Sequence, residues 1–218
     1  MNPIAKRTIS ALTTAALVVL AIIYAPASWI STVVNGLIVL ATVEYAFLLK
    51  RKLPLASLRG VLFVLLGWFV ISSLSALWVT AARYGNLMML YLIAIVKISD
   101  MGGFAFGVSS AKLMTGGNHK MCPTISPNKS WEGLAGSVAA SCILSCCFIP
   151  ITHFSCSKAL AFGVTAALVG TFGDLVESKF KRWVGVKDSS AFMPAGMGGL
   201  LDMFDSLLFA PAVLLPFI

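Results

Sequence analysis

Acidic and basic residues gather in the second half of this chain, at positions typical of helix ends. The stretch GDLVESKFKRWVGVKDSS, residues 173 to 190, holds Asp174, Glu177 and Asp188, three of only eight acids in 218 residues. Carboxylates are preferred ligands of Mg²⁺, and lysine and arginine bind phosphate. The mixture predicts a site for a hard cation together with a phosphorylated ligand such as a nucleoside triphosphate.

The acids of this stretch share a helix face with basic residues. Asp174, Glu177, Ser178, Lys181 and Arg182 follow at i, i+3, i+4, i+7 and i+8. These spacings place side chains on one side of an α-helix. One interpretation is that Asp174 is a metal ligand. The alternative is that Asp174 only pairs with Lys181 or Arg182 and anchors the helix at the membrane surface.

A second acidic face is predicted on the last apolar segment. Asp202, Asp205 and Ser206 repeat the i, i+3, i+4 spacing. Two acidic helix faces can meet across a helix interface and hold a hard cation between them. A carboxylate at the centre of a membrane span costs about 2.5 to 3.5 kcal/mol, so acids near membrane depth are usually functional. We therefore favour a metal and phosphate site over an anchor.

The elements that must position these groups are membrane helices. Of the 218 residues, 59% are hydrophobic and 11% are charged, and the mean hydropathy is +0.94. This balance is typical of a polytopic membrane protein. Apolar runs of about 20 residues occur at roughly 9–25, 29–49, 60–80, 86–108, 134–152, 158–177 and 197–217. The chain is predicted to be an all-α, polytopic integral membrane protein with about seven transmembrane helices.

The basic residues predict the orientation of these helices. With a cytoplasmic N-terminus, thirteen of the sixteen Lys and Arg residues fall on the cytoplasmic side, Lys97 lies within a span, and only Arg83 and Lys158 fall opposite. Membrane topology thus explains the net charge of +8 and argues against nucleic-acid binding. We expect a protein of the cell inner membrane, or its equivalent, whose site faces the cytoplasm. A cleavable signal peptide is the alternative for the first span, but its long apolar run favours retention.

The acids divide the chain into two regions. Glu44 is the only acid before residue 97. We therefore expect residues 1–96 to form scaffold helices and residues 97–218 to form the catalytic membrane region with its cytoplasmic loops, within one continuous domain. The small residues Gly102, Gly103 and Gly107 are expected to permit close helix packing.

Five cysteines do not indicate a disulfide framework, because three of them fall in one apolar helix. We interpret them as packing residues. A zinc site would use His119 with Cys122 and His153 with Cys156, but the predicted topology places these pairs on opposite membrane faces.

Three ordered motifs lie between about residues 97 and 210. The pattern SxxKRxxxxKD, then a glycine-rich segment and DxxDS, is matched by Ser178, Lys181, Arg182, Lys187, Asp188, Pro194, Gly196, Gly198, Gly199, Asp202, Asp205 and Ser206. The pattern (S/A)DxGA is matched by Ser99, Asp100 and Gly102, and SPxKTxEG by Ser126, Pro127, Lys129, Ser130, Glu132 and Gly133. Together these motifs resemble those of the phosphatidate cytidylyltransferases, also called CDP-diacylglycerol synthases.

The chain also departs from that family pattern. Where the family reads PGHGG and then DR, this chain has PAGMGG, with an additional Ala195 and with Met197 in the place of the histidine. Met203 stands in the place of the arginine. The segment between Gly107 and Ser126 is longer than the family usually has, and the N-terminal part is shorter.

The resemblance implies transfer of the cytidylyl group of CTP to phosphatidate, giving CDP-diacylglycerol and pyrophosphate for phospholipid biosynthesis. It implies catalytic roles for Asp174, Asp202, Lys181, Lys187 and Asp188. It implies substrate contacts from Ser126, Lys129, Ser130, Ser178, Arg182 and Asp100. Mg²⁺, as one ion or two, is expected on Asp174 and Asp202, with Asp205 as a further ligand. The partners are then CTP, phosphatidate and membrane lipid, without nucleic acid.

Two other functions stay open at this stage. A CTP-dependent lipid kinase of the polyprenol type would also use Mg²⁺ and a basic loop, but it would transfer the γ-phosphoryl group to an alcohol. An ion-coupled transporter would use Asp174 and Asp202 as intramembrane cation ligands, although the sequence has no inverted repeat. A monomer and a homodimer are both compatible with the sequence.

Overall fold

A computed structural model describes residues 19–115, 117–186, 189 and 199–218. Residues 19–24 are helical. The helices that follow are α1 (Ala27–Leu49), α2 (Leu58–Ser72), α3 (Ser75–Tyr84), α4 (Asn86–Leu113), α5 (Trp131–Cys147), α6 (Ile149–Thr152), α7 (Cys156–Val184), α8 (Leu200–Phe204) and α9 (Ala210–Leu214). Two short strands, β1 (Lys120–Cys122) and β2 (Ser126–Ser130), pair antiparallel between α4 and α5.

The predicted all-α membrane fold is confirmed, but the count of seven spans is not. Five helical stretches in the described residues are long and apolar enough to cross a membrane: Ala27–Leu49, Leu58–Tyr84, Asn86–Leu113, Cys156–Val184 and Leu200–Phe217. Helix α5 is also apolar but has only 17 residues. Most of the predicted first span, 9–25, lies outside the described residues.

Helix α4 is the central helix of the fold. Its residues Tyr91, Leu92, Ile95 and Val96 are fully buried. The Tyr91 hydroxyl is hydrogen-bonded to Ser145 Oγ at 2.7 Å, which satisfies the one polar atom that this large side chain carries into the core. The core therefore forms around the helix that also carries Lys97 and Asp100.

Helices α4 and α5 pack closely through glycine, as predicted. A Cβ added at Gly102 would lie 2.5 Å from the Cβ of Ala140, and one added at Gly103 would collide with Ser137 Oγ. A Cβ at Gly107 would make only an ordinary contact, at 3.5 Å. Gly102 and Gly103 thus permit the close approach of the two helices.

The segment SPNKS, residues 126–130, is the second strand of a hairpin. Lys120 of β1 is paired with Ser130 of β2. Ser130 then ends the strand and caps α5, because its hydroxyl accepts a hydrogen bond from the Gly133 N–H at 3.1 Å. Lys129 is therefore held one residue before a capped helix rather than in a loose loop.

The predicted span at 60–80 is formed by two helices. Helix α2 begins with its N-cap Ser57, whose hydroxyl accepts from the Gly60 N–H at 3.1 Å. Between α2 and α3 the chain turns, and the Ser73 hydroxyl donates a hydrogen bond to the Leu208 carbonyl. This bond ties the first half of the chain to its C-terminal segment.

The last predicted span, 197–217, is not one continuous helix. Helix α8 ends at Phe204, a 3₁₀ turn follows at Asp205–Leu207, and α9 leads into a second 3₁₀ turn at Leu215–Phe217. Pro211 and Pro216 in the later part have no backbone N–H to donate along a helix. The prediction that Asp202 and Asp205 share one face of a regular helix is therefore wrong. The turn between them sends the two side chains to different partners.

Candidate active site

Lys129 and Asp174 form the ion pair that joins the hairpin to α7. Lys129 Nζ lies 2.5 Å from Asp174 Oδ2, and it also contacts the Thr171 carbonyl at 3.5 Å. The two side chains are 24% and 17% exposed, respectively. The anchor interpretation required Asp174 to pair with Lys181 or Arg182. Instead, Asp174 pairs with Lys129, which is 45 positions away in the sequence.

A cavity of about 240 Å³ opens beside this pair. Five of the predicted site residues line it: Asp100, Ser126, Lys129, Ser130 and Asp174. The structure thus brings together residues from α4, β2 and α7 that are far apart in the sequence. Ser130 is 3% exposed and its hydroxyl caps α5, which gives it a structural role as well.

Asp100 and Asp174, which line this cavity, form a carboxylate cluster with Asp205. Asp100, Asp174 and Asp205 each repel the other two. The approach of the 3₁₀ turn to α7 depends on Gly173, because a Cβ there would lie 2.5 Å from the Asp205 carbonyl oxygen. Gly170 contributes less to this approach, since a Cβ added there would make only an ordinary contact, at 3.5 Å. Gly173 therefore permits Asp205 to lie beside Asp174.

Lys97 is a member of this cluster that the sequence interpretation did not use. Its Nζ donates hydrogen bonds to Ser206 Oγ and to the Met203 carbonyl, both at 3.0 Å, and lies 3.8 Å from Asp100 Oδ2. Lys97 supplies a positive charge to the three carboxylates and fastens the 3₁₀ turn to α4. Its position three residues before Asp100, within a span, was the available signal.

Asp202 belongs to a second cluster, around Lys181. Lys181 Nζ lies 2.6 Å from Asp202 Oδ1 and 2.7 Å from Glu177 Oε2. The other oxygen of Asp202 accepts the N–H groups of Ser189 at 2.9 Å and Gly199 at 2.8 Å. Both oxygens of Asp202 are thus engaged, and they fasten the start of α8 to α7.

Glu44 of the N-terminal region contacts the start of α8, the helix that carries Asp202. It is 2% exposed, and its Oε2 accepts a hydrogen bond from the Leu201 N–H at 2.9 Å. A Cβ at Gly199 would collide with Glu44 Oε1 and with Ser189 Oγ, so only glycine fits there. Glu44 holds the beginning of the helix that carries Asp202. A lone acid within an apolar run was the sequence signal for this role.

The remaining predicted residues do not line the cavity. Arg182 is exposed and donates to the Val186 carbonyl at 3.4 Å, and Ser178 is half-buried on α7. Lys187 and Asp188 lie outside the described residues. His119 Nδ1 lies 2.6 Å from Glu132 Oε1, and this hydrogen bond lowers the pKa of the Glu132 carboxyl.

The carboxylate cluster fits a hard cation by its donors. Asp174 Oδ1 is buried and has no hydrogen-bond partner among the described residues. A buried carboxylate oxygen without a donor is costly unless something else satisfies it. In the described part of the chain no three metal-ligating side chains already converge on one point. Asp174 Oδ1 is therefore an acceptor that a bound cation or ligand would satisfy.

Comparison with known proteins gives one consistent result. The sequence model of the cytidylyltransferase family matches residues 5–218. A phosphatidate cytidylyltransferase from Staphylococcus aureus is 35% identical over 196 residues, which cover 80% of this chain and 73% of the relative. One from Staphylococcus haemolyticus is 43% identical over 123 residues, 56% of this chain and 45% of the relative. One from Staphylococcus saprophyticus is 42% identical over the same length.

Proposed function

The chain belongs to the cytidylyltransferase family, and we propose that the cavity between β2 and α7 is the site of its reaction. The activity is that of a phosphatidate cytidylyltransferase: the cytidylyl group of CTP is transferred to phosphatidate, giving CDP-diacylglycerol and pyrophosphate. The observation that carries the site assignment is the Lys129–Asp174 pair, which lines a cavity together with the carboxylate of Asp100.

The lipid substrate needs little activation. A phosphate monoester loses its second proton with a pKa of about 6, so its oxygen is anionic at neutral pH. That oxygen attacks the α-phosphorus of CTP, and the bond from this phosphorus to the oxygen of the departing pyrophosphate breaks. No general base is required. The protein must instead reduce repulsion between two polyanions and align them.

Lys129 is suited to binding a CTP phosphate. It lies on a strand held by the Ser130 cap, so its ammonium is positioned before the ligand arrives. Its present partner is a carboxylate, and a phosphate oxygen can take that place while a cation takes the carboxylate. Lys97 would keep the remaining negative charge of the cluster partly compensated.

The carboxylate cluster is suited to Mg²⁺. When bound, Mg²⁺ would neutralise charge on the phosphates of CTP and on the departing pyrophosphate. Asp174 would hold it with Asp205, with Asp100 nearby, because Asp174 carries the unpartnered buried oxygen. Asp202 stays the alternative ligand, and that role would require Lys181 or the two N–H groups to release it.

We place this cavity on the cytoplasmic side, where CTP is available. The support is the charge asymmetry: the hairpin that closes the cavity carries Lys120 and Lys129, and α7 ends with Lys181 and Arg182. Light scattering of the purified protein in detergent would decide between the monomer and the homodimer.

The test is an incubation of CTP labelled at the α-phosphate with phosphatidate and Mg²⁺, using purified protein in detergent. We expect labelled CDP-diacylglycerol and unlabelled pyrophosphate. A phosphorylated lipid with free labelled CDP would indicate the lipid kinase instead. Absence of CTP turnover, with ion uptake in vesicles, would indicate the transporter.

A further inference from the structure

A second cavity lies beside a different face of α7. Its volume is about 150 Å³, and its walls come from α1, α2, α7 and the C-terminal segment. Thr171 and Asp174 of α7 line the first cavity, whereas Val176, Glu177 and Phe180 line the second. Helix α7 thus separates the carboxylate-bearing cavity from a cavity with mostly apolar walls.

The apolar wall of the second cavity is held in place by aromatic contacts. Tyr45 of α1 stacks on Phe180 of α7 with ring centroids 4.6 Å apart. The Tyr45 hydroxyl donates to the Phe63 carbonyl at 3.2 Å. Gly67 lies so close to the Tyr45 ring that a Cβ there would overlap it. These contacts fix the position of the ring, so the cavity is a defined feature of the helix interface.

The second cavity adjoins the lipid-facing surface. Leu66 and Val176 both line it, yet they are 57% and 36% exposed. Both residues lie in stretches long and apolar enough to span a membrane. An apolar occupant can therefore enter from the hydrocarbon region without passing through water.

One end of the second cavity is charged. Glu177 is the one charged residue in its lining among the described residues, and its side chain is only 3% exposed. Its Oε2 lies 2.7 Å from Lys181 Nζ, and neither of its carboxylate oxygens has a hydrogen-bond partner in the described part of the chain. The apolar cavity thus ends at Glu177, which forms a buried ion pair with Lys181. This combination fits an amphiphile whose anionic head approaches Lys181.

We propose that this cavity binds a segment of one phosphatidate acyl chain that a short-chain phosphatidate lacks, with the phosphate at the Lys181 end. The proposal rests on the proposed function, which requires a lipid substrate. Lys181 Nζ lies 2.6 Å from Asp202 Oδ1, three residues before Asp205, and the Asp205 backbone closely approaches Gly173, the residue before Asp174. A phosphate held at Lys181 is therefore next to the carboxylates of the first cavity. Lipid and nucleotide would occupy different faces of α7 and meet near Asp205.

Filling the cavity tests this proposal. Val70→Phe adds volume in the lining, and Leu66→Trp adds volume at the rim. Phe69→Trp is the matched control, because Phe69 lies on the same helix, is 71% exposed and does not line the cavity. Each variant is assayed in detergent with a long-chain phosphatidate and with a short-chain phosphatidate whose acyl chains end near the glycerol.

We expect the KM for long-chain phosphatidate to rise about tenfold in both cavity variants, as the loss of about two buried methylenes implies. The KM for short-chain phosphatidate should change much less, and the KM for CTP should stay at the wild-type value. The control variant should match the wild type throughout. If Val70→Phe fails to fold, as judged by thermal unfolding in detergent, the exposed rim variant Leu66→Trp still performs the test.

Two outcomes would overturn the cavity assignment: unchanged KM values in the folded variants, or equal increases for long-chain and short-chain phosphatidate. Neither outcome bears on the reaction itself. A wild-type protein that forms no CDP-lipid from either phosphatidate would refute the proposed function instead, so the two failures are distinguishable.

Discussion

Replacing Asp174 by asparagine should abolish most cytidylyl transfer and leave the protein inserted and folded. At the 2.5 Å separation of the Lys129–Asp174 pair, two unit charges attract by about 6 to 7 kcal/mol at an effective dielectric constant of about 20. Lost solvation offsets most of this attraction. For side chains 24% and 17% exposed, the net loss of stability should be about 1 to 3 kcal/mol.

The loss of activity should exceed the loss of stability. The amide keeps the shape of Asp174 but removes the charge that a hard cation requires, and it leaves Lys129 without its partner. Removing one preorganised group that faces transition-state charge typically costs about 2.7 to 4 kcal/mol, a decrease of about a hundredfold to a thousandfold in kcat. The assay is formation of labelled CDP-diacylglycerol, measured alongside thermal unfolding in detergent.

The matched control is Lys179→Gln, which removes a charge from an exposed position on the same helix and should keep wild-type turnover. Titration with Mg²⁺ gives a second measurement. If Asp174 only positions Lys129, the Asp174→Asn variant should keep the wild-type dependence on Mg²⁺. Wild-type turnover by Asp174→Asn at ordinary Mg²⁺ would refute the metal assignment and the reasoning from the unpartnered oxygen.

Three further changes test other parts of the structure. Gly173→Ala should reduce kcat at least about tenfold, because a Cβ 2.5 Å from the Asp205 carbonyl must displace the 3₁₀ turn from α7. Gly170→Ala is its control, because a Cβ at that position would make only ordinary contacts. Equal activities of the two variants would contradict the role of the close approach. Glu44→Ala should lower the thermal unfolding midpoint, since it leaves the buried Leu201 N–H without its acceptor at a cost of about 1 to 3 kcal/mol. Glu44→Gln retains an acceptor oxygen and should recover part of this loss. An unchanged midpoint in Glu44→Ala would exclude the positioning role. Met197→His should change kcat less than about tenfold, because the lipid phosphate is already ionised and needs no base; an inactive wild type rescued by this change, alone or with Met203→Arg, would show that the family histidine is required.

Much of the candidate site was predictable from residue type and motif spacing. Asp100, Ser126, Lys129 and Asp174 were all predicted, and all four line one cavity. Their charges stand out in an apolar chain because burying a charge in a membrane is costly without a function. Glu44 and Lys97 also lie in apolar runs, where a charge is costly, but the sequence does not indicate their partners. Both side chains contact the C-terminal segment, more than a hundred positions away along the chain.

The pairing of the acids was beyond sequence reasoning. Helical spacing predicted Asp202 and Asp205 as one ligand face, but α8 ends at Phe204 and the 3₁₀ turn separates them. Asp202 pairs with Lys181, while Asp205 lies beside Asp174. Periodicity describes a regular helix and contains no information on where packing interrupts it. The close approach of this turn to α7 in turn depends on Gly173, which has no side chain.

The sequence by itself determined the membrane class, the helical architecture and the identity of the charged groups, because the transfer cost of each side chain depends on its own chemistry and that of its near neighbours. Only the tertiary structure decided which lysine pairs with which carboxylate, and that α7 has a charged cavity on one face and an apolar cavity on another. Ion pairs and cavities depend on distances of a few ångströms between helices. Those distances result from the packing of the whole chain, which no local pattern specifies.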